Sequence, residues 1–396
     1  MPIVEAQVQP QLRLALATLC VTEVVSWGVT YYAFPVLLSA ITADTGWSAS
    51  GASAAFSLGL LVSAVAGVPV GRWLDRFGPR KVMTVGSVLA VIAMVAVASA
   101  TSLLTFALAW ALVGLAMSGV LYPPAFAAVT GWFGAERMRG LLVLTLVAGL
   151  SSTVFAPLTA VLVENFSWRT SYLLLTVLLV GTVLLHGWGL RAPWDPTAPS
   201  RRSRAQVRHV VRSRGFIVLA VVFTTLALAF YMASLGLVPL LVERGFDHRL
   251  AAMTLGLLGA GQLVGRLLYG PVVWSRSSTT GILLVVIIAG GSILGLALLP
   301  PVVSLLITGA VLFGAARGAF TLLQASVVAD RWGQQHYGAV AGVFAMPITT
   351  ATALAPWAAA AVTGVMGSNI TMYLVTAAVL GLVGVLYGFS NLGGRH

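Results

Sequence analysis

Apolar stretches of about 20 residues recur along almost the whole chain, and each is long enough to cross a hydrocarbon core of ~30 Å as a helix. Twelve can be laid out, at 12–39, 49–71, 81–100, 103–131, 140–163, 169–190, 214–242, 250–273, 280–300, 302–329, 338–366 and 370–391. Strands of a membrane barrel would alternate in polarity instead. The chain is 59% hydrophobic and 8% charged, whereas soluble domains carry about a quarter charged residues. It is therefore expected to be an all-α polytopic membrane protein, with loops too short to hold a soluble domain. Glycines four apart, such as Gly67 with Gly71, Gly261 with Gly265 and Gly338 with Gly342, suit close helix contact in lipid. The first apolar segment is long and continues into Tyr-Tyr-Ala-Phe-Pro at 31–35. It is expected to be a permanent helix rather than a cleaved leader.

The formal net charge of +12 points to topology, not to nucleic acid. With twelve spans and a cytoplasmic N-terminus, most of the 22 Lys and Arg fall on the cytoplasmic side. Only Arg169, Arg244 and Arg249 fall opposite, and Arg266 and Arg317 lie inside spans. This is the positive-inside pattern, with anionic headgroups the expected partner of the basic face. The single cysteine, Cys20, excludes an internal disulfide and a cysteine metal cluster. The histidines form no ligand pair at helical spacing, so neither metal nor cofactor is expected. Asn369-Ile370-Thr371 fits a glycosylation sequon but lies at a helix start and is treated as chance.

Between the second and third spans runs Gly-Arg-Trp-Leu-Asp-Arg-Phe-Gly-Pro-Arg-Lys. It resembles the signature loop of the major facilitator superfamily, in which a glycine, an acid four residues on, a basic residue, a second glycine and further basic residues recur. Here these are Gly71, Asp75, Arg76, Gly78 and Arg80, with Pro79 where the family usually has a basic residue. The resemblance implies two pseudo-symmetric six-helix bundles. The chain is accordingly divided into 1–190, a cytoplasmic linker at 191–213 rich in proline and arginine, and 214–396. A weak repeat at an offset of about 200 agrees: Tyr31 with Tyr231, Gly71 with Gly270, Gly114 with Gly314, Trp132 with Trp332, Pro157 with Pro356. In the second-half loop Gly270 is followed by Trp274 in place of the acid, and only Arg276 keeps charge nearby. By resemblance Asp75, Arg76 and Arg80 latch the cytoplasmic ends of the halves in one of two alternating states. The plainer reading is a solvated basic turn.

An ionisable group at mid-bilayer costs about 2.5–3.5 kcal/mol on insertion scales, so such residues face cavities and mark functional sites. Three stand out. In the first span Glu23, the one deep acid, is followed by Trp27, Tyr31 and Phe34 on a single helical face. Glu23 is a candidate for loading and releasing protons; alternatively, protonated or Arg-paired, it only fixes helix packing. The eighth span carries Gln262, Arg266 and Tyr269 on one face; the tenth carries Phe313, Arg317, Phe320 and Gln324. Two guanidiniums suit an anion, because their planar fork matches a carboxylate. The surroundings of Arg266 also resemble the monocarboxylate and oxalate carrier branches, which place an arginine four residues before a glycine, here Gly270. Where the monocarboxylate branch often has an acid, this chain has Gln262, leaving Glu23 as the coupling carboxylate. Arg266 could instead snorkel to its helix end. Tyr231 is a further candidate for the cavity wall, and Tyr122-Pro123-Pro124 is expected to break the fourth span.

These residues point to a secondary transporter of a small carboxylate, proton-coupled through Glu23, working by alternating access in a bacterial inner membrane with both termini cytoplasmic. A monomer is the default. Proton-driven efflux of hydrophobic compounds is the alternative, although the Gly-Pro motif of efflux members is here Ala156-Pro157. An enzyme is not expected, since no His-Glu-x-x-His helix, Gly-x-Ser-x-Gly elbow or phosphate-binding lysine loop occurs.

Overall fold

The computed structural model describes residues 2–195, 201–270 and 278–392. The helices are α1 (Pro2–Trp27), running through a π-helical turn (Gly28–Tyr32) into α2 (Ala33–Thr45), then α3 (Ala49–Ala98), α4 (Leu103–Val120), α5 (Tyr122–Phe133), α6 (Arg137–Ala148), α7 (Ser151–Asn165) and α8 (Trp168–Gly189). There follow α9 (Arg201–Arg212), α10 (Arg214–Glu243), α11 (His248–Leu268), α12 (Ser278–Leu298), α13 (Val303–Trp332), α14 (Tyr337–Met366) and α15 (Asn369–Leu392).

Ten apolar helical runs among the described residues are long enough to span a membrane. Two are too long for one crossing. At 1.5 Å per residue, the 50 residues of α3 would reach ~75 Å and the 63-residue run from Leu103 to Asn165 ~95 Å. The first is interrupted at Gly78, whose φ of 77° and ψ of 164° are non-helical; the second bends through a short 3-10 turn at Gly134–Glu136. Divided there, the runs give the twelve expected spans. Tyr122-Pro123-Pro124 breaks the fourth as anticipated: Leu121 is extended and proline opens α5, where its missing N–H costs nothing. The linker holds more structure than its composition suggested, since α9 forms within it and Ser213 caps α10 by accepting from Phe216 N. Pro196, Pro199, Trp274, Arg276 and Arg395 lie outside the described residues.

Two compact units emerge. The first comprises Met1–Val211 with Arg331–Met346, the second Arg212–Asp330 with Pro347–His396. Each has a polar clamp built on one of the arginines that the sequence sets apart from the basic turns. In the first unit Asp44, ending α2, accepts from Trp168 Nε1 at 2.8 Å and from Arg169 at the start of α8. Arg169 also donates to the Ala100 carbonyl at 3.0 Å, just past the end of α3. In the second unit Glu243, ending α10, accepts from Asn369 N at 2.7 Å and Asn369 Nδ2 at 2.9 Å at the start of α15. Arg244 donates to the carbonyls of Leu296 and Leu299 at the end of α12. Carboxylates thus meet helix N-termini and guanidiniums meet helix C-termini, the arrangement helix dipoles favour. The sequon asparagine is one of the clamp residues. Arg244→Ala is expected to lower thermal stability in detergent by about 1–3 kcal/mol, the cost of orphaned helix-end carbonyls. Arg249→Ala, at an exposed side chain, should leave it unchanged.

Candidate functional site

In the first unit Glu23 is fully buried. Its Oε2 accepts from Trp27 Nε1 at 3.0 Å, one turn further along. Its Oε1 has no hydrogen-bond partner among the described residues. Trp27 joins an aromatic wall, with ring centroids 5.4 Å from Tyr31, 6.3 Å from Tyr32 and 5.1 Å from Tyr122. Trp27, Tyr31 and Tyr32 are half-buried, so the acid sits behind a partly accessible aromatic face. Phe34 ends the stripe, sharing the Phe56 ring with Tyr31. It is 3% exposed and stacks on Phe56 at 4.5 Å, within the core.

The π turn re-aims this helix. The Phe155 ring of α7 lies where a side chain at Gly28 would stand, 2.1 Å from a Cβ built there. Ser151 of α7 donates to the Val24 carbonyl at 2.7 Å. A hydroxyl bonded to a helix carbonyl competes with the helix ladder, and π turns gather at functional sites. Gly28, Ser151 and Phe155 were not among the expected site residues; the Gly followed by β-branched Val29 and Thr30 is the one signal in the sequence.

In the second unit α11 and α13 run side by side with backbones almost touching. A Cβ at Gly265 would lie 1.9 Å from the Ala315 carbonyl, and one at Gly318 would lie 2.1 Å from that of Gln262. This register sets Arg266 and Arg317 at nearly the same depth on adjacent helices. Arg266 is buried. On its stripe, Tyr269 hydroxyl and Ser326 Oγ lie 3.1 Å apart in the core. Arg317 donates to Ser234 Oγ of α10 at 2.7 Å and lies 4.5 Å above the Tyr231 ring. The expected pair Arg317 and Tyr231 is thus brought together, with Ser234 an unforeseen partner one turn after Phe230, whose carbonyl Ser234 also engages at 2.7 Å. Gln262 and Gln324 are half-buried. On α10 and α13, Phe230 packs on Phe313 and Phe320 with centroids 5.4 and 5.3 Å apart.

A third constellation lies in the charged turn of α3. Asp75 is 8% exposed; its Oδ1 accepts from Gly338 N and its Oδ2 from Ala339 N, both at 2.8 Å. The acid therefore holds the first turn of α14 by its free N–H groups. Contact this close needs bare backbone: a Cβ at Gly71 would come within 2.1 Å of the Gly338 carbonyl, and one at Gly342 within 2.6 Å of that of Gly67. Both glycine pairs expected as helix contacts here meet each other. Gly78 turns beneath Trp194, whose indole donates to the Asp75 carbonyl at 3.3 Å. Arg80 donates to the Gly187 carbonyl at 2.8 Å, and the Arg76 guanidinium lies 4.9 Å from the Phe77 ring centre.

Twelve apolar spans among the described residues, with ionisable side chains held inside both units, define a multi-pass membrane protein. The chain belongs to the Major Facilitator Superfamily, whose family model matches residues 19–346. It is 26% identical over 320 residues to monocarboxylate transporter 13 of Rattus norvegicus, covering 77% of this chain and 70% of that one. It is 29% identical over 234 residues to monocarboxylate transporter 11 of Homo sapiens, covering 57% of this chain and 47% of the relative. Among solved structures, the human organic anion transporter MFSD10 superposes with a TM-score of 0.75 at 15% identity, over 96% of this chain and 99% of that one. The Escherichia coli fucose:proton symporter gives 0.74 at 15% identity, over 94% and 98%.

Proposed function

We propose that this protein carries a small organic anion, a carboxylate, across the membrane by alternating access, with protons coupled through Glu23. The observation that carries the reading is Arg317, a guanidinium inside the second unit held by a neutral hydroxyl and an aromatic face, with no acid against it among the described residues. A guanidinium so placed keeps its charge for an incoming anion. Arg266, level with it on the next helix, and Gln262 and Gln324 complete the proposed seat, with Tyr231 as its wall. In the first unit Trp27 and Tyr31 would contact substrate. The names of the relatives, monocarboxylate transporters and an organic anion transporter, agree with this class. Gly71, Asp75, Arg76, Gly78 and Arg80 form the proposed gate, with Asp75 releasing and recapturing the start of α14. The proposed setting is a bacterial cytoplasmic membrane, with both termini cytoplasmic and a monomer as the working unit. Efflux of a hydrophobic cation remains the second reading, favoured by the acid set behind the aromatic wall of Trp27 and Tyr122.

The test is thermal stabilisation of the purified protein by a panel of carboxylates, neutral aromatics and organic cations. Carboxylates are expected to stabilise the parent. Arg317→Gln should weaken that response about 10- to 100-fold, the worth of a hydrogen bond to a charged group, with Arg317→Lys between the two. Stabilisation by cations that survives in Arg317→Gln and needs Glu23 would sink the anion reading.

A further inference from the structure

Away from the buried charges, the first unit carries a groove of about 270 Å³ formed between the two arms of α3 and the side of α4. Val70, Trp73 and Phe77 line it from the first arm, and Val82, Val85 and Leu89 from the second. At its floor, glycines let the two helices close directly against each other. Gly86 of α3 and Gly119 of α4 meet there, and a Cβ at Gly119 would lie 3.3 Å from the Gly86 Cα. Its walls open outward: Trp73 is 54% and Val85 68% exposed. Both arms belong to membrane-spanning helices, so that opening faces lipid chains.

One end is not apolar. Lys81 lines the groove where it reaches the charged turn, and Arg76 lies over the ring of Phe77, itself a lining residue. Arg80 is engaged with Gly187 on another side. An apolar slot with Lys81 in its lining, and Arg76 against the ring of a lining residue, is complementary to a chain ending in an anion. Trp73 and Phe77 stand where aromatic side chains favour the interface.

We propose that this groove seats one acyl chain of an anionic phospholipid, with its phosphate held between Lys81 and Arg76. The occupant touches both arms of α3 across Gly78. Binding therefore braces the turn that presents Asp75, and makes the lipid composition of that leaflet an input to the charged loop.

The experiment places the full-length protein in phosphatidylcholine nanodiscs containing a minor fraction of lipid brominated on its acyl chains. The Trp73 signal is the difference in emission between the parent and Trp73→Phe. Brominated phosphatidylglycerol is expected to quench Trp73 with about fivefold preference over brominated phosphatidylcholine, the effect of one basic residue near the surface. The preference should vanish in Lys81→Ala, a change at an exposed position that leaves the core intact, and persist in Lys81→Arg. Equal quenching by the two lipids, or an undiminished preference in Lys81→Ala, would overturn the proposal. So would a brominated fatty acid that displaces phosphatidylglycerol from Trp73, because the occupant would then be a free carboxylate amphiphile.

Discussion

Glu23→Gln is expected to abolish proton-driven accumulation of substrate while leaving exchange of substrate across the membrane intact. Glutamine is the discriminating change. Its carbonyl oxygen can still accept from Trp27 Nε1, which now binds Glu23 Oε2 at 3.0 Å, so the aromatic wall keeps its anchor. What it cannot do is gain and lose a proton at the second oxygen, the position that has no partner among the described residues. If proton and anion binding are linked through this carboxylate, removing the titration removes the linkage and not the seat. In proteoliposomes under an imposed pH gradient, accumulation of a carboxylate that stabilises the parent should fall about 100-fold. Counterflow of the same compound without a gradient should stay within a factor of about 3. Accumulation that persists in Glu23→Gln would place the coupling group elsewhere. Loss of both activities would mean that Glu23 supports the fold around the π turn.

Much of the architecture was legible because membrane burial writes itself into the chain as long apolar runs. The spans, the proline break after Leu121 and the charged turn at Gly78 each follow from a strong local rule. The glycine pairs were legible as helix contacts, but their partners were not. Nothing in Gly67, Gly71, Gly338 and Gly342 taken singly says that the first pair meets the second; that follows only from the packing. The site divides in the same way. Glu23, Arg266 and Arg317 announce themselves by the cost of charge in lipid, and Tyr231 by its repeat position. Ser234 and Ser151 do not, because a serine in a membrane helix ordinarily satisfies itself on its own backbone. Their roles come from a neighbouring helix brought alongside. The outer clamps were hidden too, since Asp44 and Glu243 look like ordinary loop acids until the N-termini of α8 and α15 are set against them.

Asp75→Ala is expected to free the first turn of α14, with an effect on a par with that of Glu23→Gln. The carboxylate takes two buried N–H groups, those of Gly338 and Ala339, each at 2.8 Å. Each donor left without a partner costs about 1–3 kcal/mol. Little else could compensate, because the surrounding contact is glycine against glycine: Gly71 faces Gly338 and Gly67 faces Gly342 with no side chains between them. The two buried N–H groups of this closely packed helix start thus depend on one carboxylate, a contact suited to the proposed breaking and re-forming during a transport cycle. Hydrogen exchange at the amides of 338 and 339 should accelerate about 10- to 100-fold in Asp75→Ala, because each 1.4 kcal/mol of lost protection is a factor of ten. Asp75→Asn keeps one accepting oxygen and loses the favourable charge at a helix N-terminus, so its exchange should lie between. Arg80→Ala removes a bond to Gly187 in a different part of the turn and should leave those two amides protected. Transport turnover should follow the amides, falling in Asp75→Ala more than in Arg80→Ala. Unchanged protection at 338 and 339 in Asp75→Ala would show that the α14 start is held by something other than this acid, and would remove the physical basis for the proposed gate.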